Sequence, residues 1–314
     1  MYIIRSIKNL PPSLRHAVVT IGNFDGIHQG HQSLMRTLRQ WATELNNAPT
    51  LVVTFEPHPQ KVLKRSPTPE RITTLHNKAR CIAENNMDGL YILRFTQHLA
   101  SLSPEIFVQT VLVEDLAVRA VLVGENFRFG KGGAGNCTTL HALGKQFGFA
   151  VRCQPLLQNN TQTVSSTRIR ELVKTRQFNE VATLLGRPFA LEGRVVHGEQ
   201  RGRTLGFPTA NLLLADMLHP PPGVYIVEGR IHDQWLPAIA NLGHNPTFGA
   251  GHLRLEVHLL APCGDIYHQT LQVRFLQHLR DEKKFSTLSE LRQQIANDVR
   301  QAQTYFHQSK TEQT

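Results

Sequence analysis

The sequence predicts two domains of different class. An α/β domain with a doubly wound parallel sheet covers residues 1–186, and a small antiparallel β-barrel with a terminal helix covers residues 187–314. Three observations lead there. The chain has 314 residues, room for two domains of about 150. Up to about residue 150, short wholly apolar runs alternate with helical stretches, as strands buried on both faces of a parallel sheet do. Beyond Gly186-Arg187-Pro188 the runs alternate apolar and polar residues and are punctuated by Gly and Pro, which suits a small barrel.

The elements follow in order. Ala17–Ile21, Leu51–Phe55, Leu90–Leu93 and Ala120–Val123 are the expected parallel strands. Between the first two, Leu34, Leu38, Trp41 and Leu45 recur at spacings of 4, 3 and 4 and put one apolar stripe on a helix. In the second domain Gly193–Val196, Gly223–Val227, Leu253–Leu259 and Leu271–Phe275 read as barrel strands. A terminal helix starts at Thr287, which forms a capping-box pattern with Glu290 and is followed by Leu288, Leu291, Ile295, Val299 and Ala302. Residues from about 307 are expected to fray.

Lys and Arg number 34 and Asp and Glu 24, a net charge of +10. The excess is local: residues 1–186 hold 21 basic and 12 acidic residues, residues 187–314 hold 13 and 12. Such a field favours anionic ligands, whether nucleic acid, an acidic membrane or small phosphates, or else serves solubility alone. At 40% hydrophobic residues, wholesale disorder is excluded. Cys81, Cys137, Cys153 and Cys263 show no C-x-x-C spacing. They argue against structural zinc and fit a reducing compartment better than a disulfide framework. No apolar run approaches 18 residues, and the apolar stretch at the N-terminus is too short for a signal peptide. A cytoplasmic protein is expected, with no membrane association.

The first strand leads into Gly22-Asn23-Phe24-Asp25-Gly26-Ile27-His28-Gln29-Gly30-His31, and the amphipathic helix follows. Such a loop lies at the carboxyl edge of the sheet, where ligands bind. Its glycines let backbone N–H groups approach phosphate oxygens, and the helix N-terminus adds positive charge. Two histidines three apart can reach one phosphate. Alone, Ser165-Ser166-Thr167-Arg168-Ile169-Arg170 reads as a helix cap with a basic first turn; beside the histidine loop it becomes a second phosphate-binding motif. Thr54-Phe55-Glu56-Pro57-His58-Pro59 follows the second strand, and Gly124–Lys131 follows the fourth. The latter mixes aromatics, an amide and cations, which suits a planar ring carrying a phosphate, and equally an ordinary βα loop with buried phenylalanines.

The second domain carries His197-Gly198-Glu199-Gln200-Arg201-Gly202-Arg203-Thr204-Leu205-Gly206-Phe207-Pro208-Thr209-Ala210-Asn211. Glycines 198, 202 and 206 allow the backbone to fold close over a ligand. Thr209 and Asn211 are two apart, so an extended segment points both to one side. Their oxygens are hard ligands suited to Mg²⁺ on ATP phosphates. Glu256 sits between Leu255 and Val257 in an alternating strand, on the opposite face from both. It is either a solvent-facing glutamate or the general base that phosphorylation of an alcohol benefits from.

The His-x-Gly-His loop resembles the signature of the nucleotidyltransferase superfamily, which includes class I aminoacyl-tRNA synthetases. Over nearly the whole chain the sequence is similar to the prokaryotic bifunctional riboflavin kinase/FAD synthetase family. GNFDGIHQGH, TFEPHP, NFRFG and SSTRIR match its adenylyltransferase module, and HGEQRGRTLGFPTAN, NLGHNPTFG, LEVHLL and LRDEKKF match its kinase module. The resemblance implies a Rossmann-like nucleotidyltransferase domain that adenylylates FMN to FAD, and a kinase domain that phosphorylates riboflavin to FMN, with ATP as co-substrate and Mg²⁺ as cofactor. It implies that His28 and His31 stabilise the ATP phosphates. Gly22, Phe24 and Asp25 would shape the nucleotide pocket, which Ser166, Thr167 and Arg168 close. Phe55, Pro57, His58, Asn126 and Arg128 would meet the flavin. In the kinase, Gly198, Gly202, Gly206, Thr209 and Asn211 would bind ATP, Thr209 and Asn211 also the metal, and Glu256 would activate the riboflavin hydroxyl.

Two other classes are set aside on the sequence. A tRNA-binding relative of the synthetases would need a KMSKS-like lysine loop and an anticodon-binding extension, and neither is present. A flavin store would not need both the histidine pair and Glu256. The expected partners are riboflavin, FMN and ATP, without nucleic acid or an obligate protein partner.

Overall fold

The computed structural model describes residues 1–64, 67–159, 162–198, 202, 205–231, 233–244 and 253–311. The chain divides into two compact units, Met1–Ser166 and Thr167–Thr314.

The first unit runs β1 (Tyr2–Ile4), β2 (Val18–Ile21), α1 (Gln29–Glu44), β3 (Thr50–Glu56), α2 (Pro59–Val62), α3 (Leu75–Glu84), β4 (Gly89–Arg94), α4 (Gln97–Ser101), α5 (Pro104–Phe107), β5 (Ala120–Gly124), α6 (Cys137–Phe147), β6 (Ala150–Gln154), β7 (Gln158–Asn159) and β8 (Gln162–Thr163). A π-helical segment, Val108–Asp115, continues α5. Strands β1 to β6 form one parallel sheet in the order β1-β4-β3-β2-β5-β6. The four expected strands are β2 to β5; β1 and β6 extend the sheet at its edges.

Alternation along the strands explains the two covered faces. Val18, Val52, Leu90 and Leu122 pack on Leu34, Leu38 and Trp41 of α1 and Ile82 of α3. Val19, Leu51, Val53 and Val121 pack on the opposite layer, with Phe107, Leu112 and Leu140. The chain winds outward from β2 through β3 to β4, then returns to the other side of β2 with β5. The carboxyl ends of β2 and β5 therefore flank the crevice where the order of winding reverses, the place where open α/β sheets bind ligands.

One expectation is corrected here. Cys137 and Cys153 are joined as a disulfide, while Cys81 and Cys263 are free thiols. Helix α6 runs back along the sheet before β6 begins. Its first residue thus meets the carboxyl end of β6, with 6.3 Å between the Cα atoms. Sequence spacing alone does not reveal that meeting.

In the second unit, α7 (Ser166–Lys174, whose first residue belongs to the first unit) and α8 (Phe178–Leu185) precede β9 (Ala190–Val196), β10 (Ala210–Leu214), β11 (Gly223–Ile231), β12 (Gln234–His244), β13 (Leu253–Leu259), β14 (Thr270–Arg280) and α9 (Leu288–Thr311). The strands close an antiparallel barrel in the order β10-β13-β12-β11-β14-β9. Tyr225, Val227, Leu255, Val257 and Phe275 are buried in it. The Phe178 ring of α8 packs 5.8 Å from the centroids of both Tyr225 and Phe275. Half of the expected capping box forms at α9, with Thr287 Oγ accepting from the Glu290 N–H at 3.2 Å; the Glu290 carboxylate reaches one residue further back and accepts from the Ser286 N–H at 3.0 Å. The helix continues to Thr311, past the expected fraying point.

Candidate active sites

The first site is built on a loop in an uncommon backbone conformation. Phe24 and Ile27 hold φ of 46° and 41°, in the left-handed region that non-glycine residues rarely adopt. Such residues cost on the order of 1–3 kcal/mol each and persist where their surroundings over-determine them. Both side chains are buried in the core beneath the loop. The Asp25 carboxylate accepts from the backbone N–H groups of Ile72 at 3.0 Å and Thr73 at 3.2 Å. The Thr73 hydroxyl accepts from the Gly26 N–H at 3.2 Å, and the Ser166 hydroxyl donates to the Asp25 carbonyl at 2.8 Å.

His28 is the N-cap of α1, its Nδ1 accepting from the His31 N–H at 3.3 Å. That bond leaves Nε2 to carry the proton of the neutral ring. A Cβ at position 30 would lie 3.1 Å from His28 Nδ1, so the glycine between the histidines lets the ring lie close. The His28 and His31 rings stack with centroids 3.6 Å apart, and Phe24 meets His31 edge-on at 5.1 Å. The pKa of His31 is held well below the ordinary 6.5, first by desolvation, then by the charges of His28 and Lys78. Among the described residues, His31 Nδ1 has no hydrogen-bond partner.

A cavity of about 790 Å³ opens over this loop. It brings together Gly22, Phe24, Asp25, His28, His31, Phe55, Asn126, Arg128 and Ser166. Pro57 and His58 are not in its lining. His58 instead caps α2, accepting from the Gln60 N–H at 3.3 Å. Thr167 and Arg168 fall in the second unit, where Arg168 pairs with Glu180 at 3.3 Å. Sequence reasoning missed the apolar wall of Phe95, Leu99 and Phe107. Those residues carry no motif, and their only signal is apolarity next to a ligand loop.

The second site is a cavity of about 430 Å³ on the outer face of the barrel. Register builds it. Asn211 of β10 and Asn241 of β12 both lie opposite Glu256 of β13, so three polar residues line up across adjacent strands. Leu255 and Val257 point into the barrel at 0% exposure while Glu256 lines the cavity, as the alternation predicts. Gly202 and Thr209 line it as well. Gly198 and Gly206 do not, but any Cβ at 198 would collide with the Asn211 amide, and Gly206 turns the chain at φ 88°. Glu199–Arg201, Arg203–Thr204 and Asn245–Gly249 of the motifs lie outside the described residues. Asn241 and Arg280 stand within the NLGHNPTFG and LRDEKKF motifs but were given no role, and Asp298 was missed by sequence reasoning. The Arg280 guanidinium grips the Asp298 carboxylate of α9 at 2.8–3.1 Å and fixes the helix that walls the cavity.

The fold and its two cavities define a two-site transferase: a parallel sheet with a phosphate-type His-x-Gly-His loop at its carboxyl edge, and a barrel with a carboxylate facing its own cavity. Comparison with known proteins makes this particular. The FAD synthetase family model matches residues 10–168, and the riboflavin kinase model matches residues 185–306. A bifunctional riboflavin kinase/FMN adenylyltransferase of Escherichia coli K12 is 38% identical over 98% of both chains, and its Pseudomonas fluorescens counterpart is 40% identical over 95% of this chain and 96% of the relative. A solved Streptococcus pneumoniae structure described as a macrolide-efflux protein superposes with a TM-score of 0.83 at 32% identity, covering 94% of this chain and 96% of that one. The chain belongs to the bifunctional riboflavin kinase/FMN adenylyltransferase family, and it carries both activities with ATP as co-substrate. No helix among the described residues is long and apolar enough to cross a membrane.

Proposed function

We propose that the barrel cavity phosphorylates riboflavin and the sheet cavity adenylylates the resulting FMN, each with its own ATP. The single observation behind this division is the position of the carboxylates. Among the described residues, Asp25 is the only carboxylate lining the first cavity and it braces the loop backbone at Ile72 and Thr73, whereas Glu256 lines the second cavity level with Asn211 and Asn241. FMN already offers an anionic phosphate oxygen, which attacks the α-phosphorus of ATP and displaces pyrophosphate without a base. His28, His31 and Ser166 offset the phosphate charge in that step. Phe55, Asn126 and Arg128 hold the flavin, with Pro57 and His58 shaping the strand end behind it.

Riboflavin offers a neutral alcohol. Glu256 takes its proton while the oxygen attacks the γ-phosphorus of ATP and ADP departs. Thr209 and Asn211, which carry a hydroxyl and an amide oxygen, line the same cavity. Two neutral hard donors suit Mg²⁺, which keeps several waters and leans on phosphate oxygens. Where bound, Mg²⁺ neutralises charge on the ATP phosphates. Gly202 lets the backbone of the cavity wall come close to those oxygens, while Gly198 makes room for the Asn211 amide and Gly206 turns the chain beside it. The kinase domain starts near residue 187, and the enzyme works in the cytoplasm on small molecules alone, without nucleic acid, membrane or an obligate protein partner.

The test is chromatography of flavins formed from riboflavin and Mg-ATP. The proposal expects FMN and then FAD from the parent protein, FMN alone from His28→Ala, and neither from Glu256→Gln. FAD from riboflavin at the parent rate in either variant overturns the assignment of that residue.

A further inference from the structure

We propose that Lys78 is a positioning residue for adenylyl transfer: its ammonium, buried under the first loop, fixes the Asn23 carbonyl and through it the backbone that presents His28 and His31. This rests on assigning FMN adenylylation to the sheet cavity. Lys78 lies on α3 and is 8% exposed. Its Nζ donates to the Asn23 carbonyl at 2.7 Å and to Thr54 Oγ1 at 3.2 Å, and Thr54 Oγ1 donates to the same carbonyl at 3.1 Å. One carbonyl of the loop is thus held from both α3 and β3.

The neighbouring carboxylates are committed elsewhere. Glu56 pairs with Arg71 at 2.5 Å, and Asp25 accepts from Ile72 and Thr73. A leucine or methionine would fill the space under the loop without the desolvation cost of a buried cation. What the lysine adds is the grip on Asn23, next to the strained Phe24, and a positive charge beneath the histidine pair. Desolvation first, then His28 and the Lys78 charge, hold the His31 pKa well below its ordinary value; burial likewise lowers the pKa of Lys78, with Asp25 and Glu56 opposing that shift and Arg71 adding to it.

The test compares Lys78→Met, Lys78→Gln and Thr54→Val in the full chain, with riboflavin phosphorylation as the internal control. Misplacing a reacting group by about 1 Å can cost on the order of 10²-fold, so Lys78→Met should lower kcat for FAD formation by about that factor, with KM for ATP changed only a few-fold. Lys78→Gln keeps a donor for Asn23 and should recover part of the loss. The His31 pKa, read by NMR titration, should rise in both Lys78 variants and stay put in Thr54→Val, which loosens the same carbonyl but keeps the charge. A Lys78→Met kcat equal to the parent's, or a Gln variant as impaired as Met with an unmoved His31 pKa, overturns the proposal. Should Lys78→Met not fold, unchanged kcat in both Lys78→Gln and Thr54→Val overturns it. If His28→Ala also leaves FAD formation intact, the failure belongs to the assignment of the cavity and not to Lys78.

Discussion

The two cavities place their polar groups by different means. In the first unit the histidines, Ser166, Asn126 and Arg128 stand on loops and a helix start at the edge of the parallel sheet, and the geometry depends on braces such as Asp25 on Ile72 and Thr73. In the second unit Asn211, Asn241 and Glu256 stand on neighbouring strands, and ladder register alone brings them level. A loop site lets the backbone itself face phosphates. A strand site holds a carboxylate in register with its polar neighbours. On the proposed assignment the difference follows the chemistry: one nucleophile arrives charged and the other must lose a proton.

The contrast is broken most directly by removing each unit's own chemistry. Glu256→Gln keeps the size and loses the base, and should depress riboflavin phosphorylation by about 10²–10⁴-fold while adenylylation of supplied FMN stays near the parent rate. Initial rates on the two flavins separately decide it. His28→Ala should do the reverse, lowering FAD formation by roughly 10²–10³-fold with FMN accumulating from riboflavin. Equal damage to both activities from either change would mean that the cavities do not work independently.

Smaller changes sharpen the comparison. Asn211→Ala should raise the Mg²⁺ and ATP concentrations needed for kinase activity by about tenfold, a loss of roughly 1.4 kcal/mol, with riboflavin dependence little changed. Titrations in which riboflavin affinity falls instead would move Asn211 to the flavin. Phe178→Ala should destabilise the second unit by about 3 kcal/mol, because the ring is buried against Tyr225 and Phe275. By the same contact, a fragment of residues 167–314 should phosphorylate riboflavin and resist heat better than one of residues 187–314. Denaturant midpoints of the two fragments measure the difference.

The smallest effect is a pH dependence confined to the first unit. The folded-state pKa of His31 lies below the ordinary imidazole value of 6.5, so below that pH the unfolded chain takes up the proton first. Its contribution to stability is full above 6.5 and declines as pH falls toward the folded value. Thermal unfolding of the first unit between pH 7 and 5 should show a downward slope that His31→Gln flattens.

Particular residues show how far local pattern reaches. β2 to β5 were legible because each is a buried, wholly apolar run. β1 was not, being three residues with Tyr2 and Ile3 exposed. β12 was missed because Pro237 and Gly243 interrupt it, yet both take their places in the ladder. The His-x-Gly-His loop announced itself by spacing. The residues that hold it, Ile72, Thr73 and Lys78, come from a segment some 47 to 55 positions away and carry no motif.

The sequence by itself determined the two fold classes, the loop with its histidine pair, and the face on which Glu256 would stand. These depend on periods of two and of three to four residues, on glycine placement and on charge, all written along a few neighbouring positions. Tertiary structure alone decided the level alignment of Asn211, Asn241 and Glu256, the Cys137–Cys153 bond, the grip of Lys78 on Asn23 and the packing of Phe178 on the barrel. Each depends on strand register or on the meeting of segments far apart in the chain, and the packing of the whole unit fixes that pairing.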